Sequence, residues 1–271
     1  MNDASFEHFF NGKALVGDDF SLEELEKWYE DEAEGYAGLV SDYENYEYEY
    51  HALNIMHGFS KLPGGKIGKA IGLGSAYGEE FFPILDRLDS LILVDPSEKT
   101  RSDVISDVPV QYIKPSILGD LDIENGSIDL ATSFGSLHHI ANVSHVIAEY
   151  GRILRPGGHF LIREPIVNMG DWRAPRGGLT KRERGIPFSI MQDAIEKGGM
   201  EIIRATPCFF PPWHALVYKF QKQAGLCSVP WQTKVDQWLS MIFSFNIHYN
   251  RDTIFKKFGP TSFMWVCRKK I

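Results

Sequence analysis

Apolar residues recur along this chain in two different periods, and the change of period divides it. Near the start, "SLEELEKWYEDEAEGYAGL" sets Leu22, Leu25, Trp28, Tyr29 and Ala33 at helical spacing. Ser21 with Glu24 three residues later is a capping-box pattern that starts this helix. A second helix is predicted over "YEYEYHALNIMHGF" (46–59), so residues 1–60 read as a helical cap and "KLPGG" (61–65) as a joint. Beyond it the period shortens. "KAIGL" (69–73), "LILVD" (91–95), "VQYI" (110–113), "IDLATS" (128–133), "HFLIREP" (159–165), "MEIIRA" (200–205) and "SFMWVC" (262–267) are short apolar runs separated by helical stretches. Such alternation predicts an α/β fold, a doubly wound parallel sheet with helices on both faces. Pro187 marks the start and Gly198–Gly199 the end of the helix before the sixth run.

The interval 207–259 is too long for a plain connection and is rich in aromatics, among them Trp213, Trp231, Trp238 and Phe245. It is predicted as a helical insert before the last strand, covering the carboxyl ends of the strands or forming a homodimer surface; each aromatic alone is also an ordinary core residue. The core then comprises residues 66–206 and 260–271, in a single domain.

Composition narrows the functional classes. With 271 residues, 44% hydrophobic and 24% charged, the chain has the make-up of a globular protein. It has no apolar run approaching the roughly 18 residues of a membrane span, and "MNDASFEHFF" does not read as a secretory signal. Cys208, Cys227 and Cys267 are odd in number and match no zinc spacing, so a cytoplasmic protein with reduced thiols and no metal is expected. The net charge is −8, and residues 18–48 hold twelve acids against Lys27 alone. That segment reads as a solvated helix surface. No basic face for nucleic acid is visible.

Chemistry enters at "IGKAIGLGSAYGEE" (67–80), where Gly72, Gly74 and Gly78 lie between a strand and a helix-like stretch. Asp95, 21 residues after Gly74, ends the second strand where an acid binds a ribose diol. Turn and acid together suit either a nicotinamide dinucleotide or S-adenosylmethionine, although Gly78 comes one residue late for the dinucleotide fingerprint.

"NGSIDLATSFGSLHHI" (125–140) followed by "VIAEYGRILRPGGHFLIREP" (146–165) resembles class I S-adenosylmethionine-dependent methyltransferases. The resemblance covers about residues 66–205 and returns at the last strand. It implies a seven-stranded sheet with an antiparallel last strand, and methyl transfer from S-adenosylmethionine to oxygen or nitrogen of a small metabolite or glycan precursor. By position, Gly72, Gly74, Ser75, Ala76 and Tyr77 would border the methionine moiety, and Asp95 would take the ribose hydroxyls. Pro96 would flank adenine, and Phe134, Gly135 and Ser136 would lie near the sulfonium. Two departures stand out. Ala70 occupies the place of the family's acid before the first glycine, and Ser116 and Ile117 occupy that of its adenine-reading acid. Ser116 with backbone groups could substitute there, or Asp120 could reach in.

Methyl transfer needs an aligned nucleophile and, for a hydroxyl, a base. His138 and His139 are candidates, at most one of them a base, since adjacent side chains point differently; each is also an ordinary packed histidine. Glu164 ends the fifth strand, where it would position substrate or pair with Arg163. "GDWRAPRGGLTKRERG" (170–185) carries Arg173, Arg176, Lys181, Arg182 and Arg184, suited to an anionic acceptor or to a charged surface loop. Tyr29 and Tyr36 on the cap could close over the cofactor. The rival readings are a nicotinamide-dependent oxidoreductase and a non-catalytic binding or partner protein of the same fold.

Overall fold

In the computed structural model, which describes residues 3–39, 48–97, 101–220 and 226–271, all seven predicted runs are strands. They are β1 (Gly68–Leu73), β2 (Leu88–Val94), β4 (Val108–Ile113), β5 (Ile128–Phe134), β6 (Leu154–Pro165), β7 (Met200–Cys208) and β8 (Ser262–Lys269). An eighth, β3 (Val104–Ile105), pairs antiparallel with β4 at the sheet edge. The expected seven strands are thus eight, because a two-residue strand is too short to leave a period in the sequence. The order is β3-β4-β2-β1-β5-β6-β8-β7. β1, β2, β4, β5 and β6 run parallel, while β8 is antiparallel to both neighbours, as the family resemblance implies.

The central strands are apolar on both faces because both are covered. One face packs Ile71, Ile128, Phe160 and Trp265 against α4 (Val143–Ile153) and α5 (Phe188–Lys197). The other packs Ala70, Leu91, Leu161 and Met264 against Leu53 of α3 (His51–His57) and against Phe81 and Ile84. Each fully buried Leu, Ile or Phe stabilises this sandwich by about 1.5–3 kcal/mol. The segment after the glycine turn, Glu79–Arg87, is a 3₁₀ helix and not an α-helix. Pro83 lies inside it and lacks the N–H that an α ladder needs.

The cap contains α1 (Asp3–Phe10), α2 (Leu22–Leu39) and α3. The capping box forms as expected: Ser21 N–H donates to Glu24 Oε2 at 2.9 Å and Glu24 N–H to Ser21 Oγ at 3.4 Å. Leu25 and Trp28 turn inward against Val16, Ala141 and Trp172, and Trp28 Nε1 donates to the His139 carbonyl at 2.7 Å. α2 therefore docks on the loop after β5. The predicted second helix starts only at His51; residues 46 and 47 of that prediction, and the side chain of Tyr36, lie outside the described residues.

The insert holds α6 (Pro211–Phe220) and α7 (Pro230–Ile242). α7 packs on β7 and α3, at the far edge of the sheet. Among the described residues of 207–259, none lines the cleft at the strand ends, so the expected cover over that cleft is supplied by α2 instead.

Candidate active site

The cleft lies at the carboxyl ends of β1, β2, β4 and β5, where a doubly wound sheet binds ligands. Gly74 divides it. On one side about 840 Å³ of empty space, open to solvent, is walled by Leu73, Pro96, Ser116, Ile117, Ser136, His139 and the cap residues Trp28, Tyr29 and Glu32. On the other side Gly74 and Ser75 meet Tyr50, Glu80, Phe134 and Arg163.

The glycine turn is built by two close approaches. Gly74 has φ +64°, and a Cβ there would stand 2.3 Å from Ser136 Oγ. Gly72 does not face the cleft. It leaves room for Ser75 Oγ and Phe81, which a Cβ would meet at 2.0 and 2.8 Å. Ala76 N–H donates to Asp95 Oδ2 at 3.1 Å and Ser97 N–H to Oδ1 at 2.9 Å, so Asp95 ties the turn to the end of β2. Burial raises the Asp95 pKa against these two bonds, and its charge, after burial, helps to raise that of Tyr29. Tyr29 is thus within electrostatic reach of Asp95, on the cap wall where the sequence places it. Of the other predicted residues, Pro96, Ser116, Ile117 and Ser136 line the larger side, and Ser75 and Phe134 the smaller. Ala76, Tyr77, Asp95 and Gly135 are absent from both walls. Asp120 does not reach in; it is exposed and pairs with His145 Nε2 at 2.8 Å.

Glu80 is a site residue that the sequence reading passes over. Its carboxyl is fully buried, taking hydrogen bonds from Thr132 Oγ1 at 2.5 Å and Ser75 Oγ at 3.0 Å. Burial raises its pKa to about 7 in spite of them. Arg163, on the same wall, stacks over the Tyr50 ring at 4.0 Å and donates to Asn54 Oδ1 at 3.1 Å. The expected alternative partners of Glu164, Arg163 or a substrate, are therefore both replaced. Glu164 accepts from the N–H groups of Ser136 at 2.9 Å and Leu137 at 2.8 Å, and from His138 Nδ1 at 2.7 Å. At 0% exposure it is a positioning residue that holds the loop and has no contact with the cleft.

The two histidines part company. His138 sits between carboxylates, Glu164 on Nδ1 and Glu183 Oε1 3.4 Å from Nε2. Burial would lower its pKa, but the charges and hydrogen bonds of Glu164 and Glu183 push it up to about 9. The two carboxylates thus favour its charged imidazolium form. His139 donates Nδ1–H to Glu32 Oε2 at 2.7 Å. Burial and then the His138 charge lower its pKa, more than Glu32 and Glu183 raise it, so it is neutral. Glu32 comes from the acidic stretch that reads as solvated surface; it is 3% exposed. It also accepts from Thr180 Oγ1 at 2.7 Å and Arg182 N–H at 2.6 Å. His138, His139 and Glu183 bring donor atoms within 4.8 Å of one another, and each ring is hydrogen-bonded through Nδ1 to a glutamate.

The cations of the basic loop have partners within the protein. Arg173 pairs with Asp171, and Lys181 and Arg182 pair with Asp31 of α2. Arg176 donates to the carbonyls of Met169, Glu183 and Thr180. Arg184, fully buried, donates to those of Val16, His138, Ile140 and Ala141. Lys181, Arg182 and Arg184 thus tie cap to core, while Arg173 and Arg176 brace the loop itself.

Residues 71–162 match the family model described as "Methyltransferase domain". A Mycolicibacterium smegmatis protein named "probable S-adenosylmethionine-dependent methyltransferase" is 29% identical over 122 residues, 45% of this chain and 46% of its own. The chain thus spans about half the length of that relative. Among solved structures, a chain from the complex of the Haloferax volcanii Trm112 methyltransferase activator with its methyltransferase superposes with TM-score 0.52 at 16% identity, over 92% of this chain and 98% of that one. An S-adenosylmethionine-dependent methyltransferase from Mesorhizobium loti gives 0.50 at 17% identity, covering 78% and 95%. The sheet order and the structural likenesses define the fold as that of the class I S-adenosylmethionine-dependent methyltransferases, and residues 71–162 of its core are similar to the methyltransferase-domain family. The methyl donor of that family is S-adenosylmethionine. Among the described residues, no helix is long and apolar enough to cross a membrane.

Proposed function

We propose that the chain transfers a methyl group from S-adenosylmethionine to oxygen or nitrogen of a small metabolite or glycan precursor, with His139 as the base. The observation that carries this reading is the neutral His139–Glu32 pair in the wall of a cleft whose Gly74 cradle would be closed by any Cβ. The cleft's donors and acceptors fit the cofactor. Asp95 would accept from the ribose hydroxyls, Pro96, Ser116 and Ile117 would flank adenine, and Gly74 and Ser75 would border the methionine chain. Glu80 would take the ammonium that Ala70 cannot, and Arg163 on the same wall would face the carboxylate.

The bound cofactor supplies an activated methyl carbon, so the protein's task is alignment, exclusion of water and proton removal. Glu32 accepts Nδ1–H, which sets the tautomer that carries the basic lone pair of neutral His139 on Nε2, the atom we assign to receive the acceptor's proton. Glu164 fixes the loop that carries this ring. Trp28 and Tyr29 wall the site on the cap side, and Arg184 tethers the loop beside it. Calorimetry with S-adenosylmethionine, S-adenosylhomocysteine and NADH tests the reading: the first two are expected to bind and NADH not. Binding of NADH alone would make the chain an oxidoreductase, and binding of none would leave a partner protein.

A further inference from the structure

α7 is built inside out. Its inward positions are polar: Gln232, Thr233, Asp236 and Ser240 are all at 1% exposure or less. Its outward positions are Trp231, Trp238, Met241 and Ile242, with Phe245 one turn on, exposed by 52 to 73%. These five fall on one stripe of a 3.6-residue helix. The inward polarity has a structural cause. Asp236 accepts from the N–H groups of Phe209 at 2.9 Å and Phe210 at 2.7 Å and pairs with His214, anchoring α7 to the β7–α6 corner. The helix orientation is therefore fixed, and its apolar stripe faces solvent. Asn246 holds the carbonyls of Phe255 and Phe258 beside the end of this stripe, which adds exposed Ile254, Phe255 and Phe258.

Charge is distributed to match. Residues 207–259 carry Lys219, Lys222, Lys234, Arg251, Lys256 and Lys257 against Asp236 and Asp252, in a chain of net charge −8. A patch this apolar marks an interaction surface. Trp, Phe and Ile on one helix face with lysines beside it is the composition of a helix that lies in a membrane interface. A second copy suits it less, because a two-fold contact would bring two copies of the same net basic segment together.

We propose that the face formed by α7 and residues 245–258 docks on an anionic lipid bilayer surface. The aromatic and aliphatic stripe enters the headgroup boundary, and Lys234, Lys256 and Lys257 meet lipid phosphates. This is peripheral contact, without a spanning segment.

Sedimentation with vesicles of phosphatidylcholine containing about one-third phosphatidylglycerol, against phosphatidylcholine alone, tests it at low and high salt. The full chain is expected to pellet with the anionic vesicles at least about tenfold more than with neutral ones, with loss as salt rises. Trp238→Asp should cut that binding about tenfold, and the double change Lys256→Glu, Lys257→Glu should remove its salt-sensitive part. Calorimetry with S-adenosylhomocysteine and the thermal melt report whether each variant is folded; Phe245→Ser serves if Trp238→Asp is not. Absence of pelleting, equal pelleting with both vesicles, or unchanged binding by the variants would overturn the proposal. A doubled mass in light scattering that Trp238→Asp abolishes would assign the face to a second copy.

Discussion

Two carboxyls, buried Glu80 in the smaller wall of the cleft and half-buried Glu183 beside His138, end in opposite states. Glu80 is pushed up to about 7 by burial, because its partners Thr132 and Ser75 are neutral hydroxyls. Glu183 is also partly desolvated, yet the hydrogen bond and charge of His138, with the Thr180 N–H, bring it down to about 2. Burial alone thus does not decide ionisation; the partner does. Glu183 has a cationic partner bonded to it, whereas Glu80 has Arg163 on its wall but only hydroxyls as bonded partners. A ligand ammonium would supply Glu80 with a bonded cation, whereas the histidine side needs nothing but an acceptor.

The largest effect should come from the histidine side. His139→Ala is expected to lower kcat by about 10²–10⁴, the usual worth of a positioned base, with S-adenosylmethionine affinity preserved. The wild-type rate should fall with acid below the ordinary histidine range, as the ring takes up its proton. Near-normal turnover, or a flat profile between about pH 5 and 8, would reduce the catalytic contribution to proximity.

Next in size is the joint between the two sides. Asp95→Ala should weaken S-adenosylmethionine binding by about 1.5–3 kcal/mol, the scale of hydrogen bonds to a charged group. It also strips the Ala76 and Ser97 N–H groups of their acceptor. Asp95→Asn keeps a hydrogen-bonding oxygen and should lose less. Unchanged calorimetric affinity in both variants would remove Asp95 from the ribose site.

Glu80→Gln should weaken binding about tenfold, a typical value for one charged hydrogen bond. The sharper signature is a proton. A carboxyl with pKa about 7 is part protonated in the free protein, and a bound ammonium favours its ionised form. Binding should therefore release a fraction of a proton near neutrality and tighten as pH rises from about 6 to 8. Calorimetry in buffers of different ionisation enthalpy reads this directly. Equal proton release by wild type and Glu80→Gln would place the ammonium elsewhere.

The comparison also shows where sequence reasoning reached. Alternation of period gave every strand of three residues or more, and the capping box gave the start of α2. Motif spacing gave part of the cleft walls, Gly74, Ser75, Pro96, Ser116, Ile117, Phe134 and Ser136, because those residues are local to strand ends. What it missed acts over long sequence separation. Glu32 meets His139 at a separation of 107 residues, and its neighbours in sequence are exposed acids that mask it. Glu183 hides among cations, and Glu80 follows Glu79 with no signal of which is buried. One clue was present: Glu32 is one turn from Trp28 and one residue off the apolar stripe, so it lies at the edge of the buried face. The inverted α7 was illegible for another reason. Its aromatics fit a core pattern as well as an outward one, and only the anchoring of Asp236 decides between them.

The smallest effect concerns folding, and it opposes the two sides once more. His138 is held near 9, well above the ordinary 6.5, by Glu164 and Glu183 against the cost of burial. A raised histidine pKa contributes stability that is complete below about 6.5 and is lost as pH climbs through about 9. Glu183 runs the other way: its contribution is present above its unfolded value of about 4.5 and is lost as pH falls toward about 2. This cluster is therefore strongest between roughly pH 4.5 and 6.5. The melting temperature should drop between about pH 6.5 and 9, by about 2–4 °C for each kcal/mol lost. His138→Gln cannot change charge, so it should melt lower at pH 6 and show a flatter slope up to pH 9. Parallel slopes for the two proteins would mean that His138 is not the imidazolium that the glutamates imply.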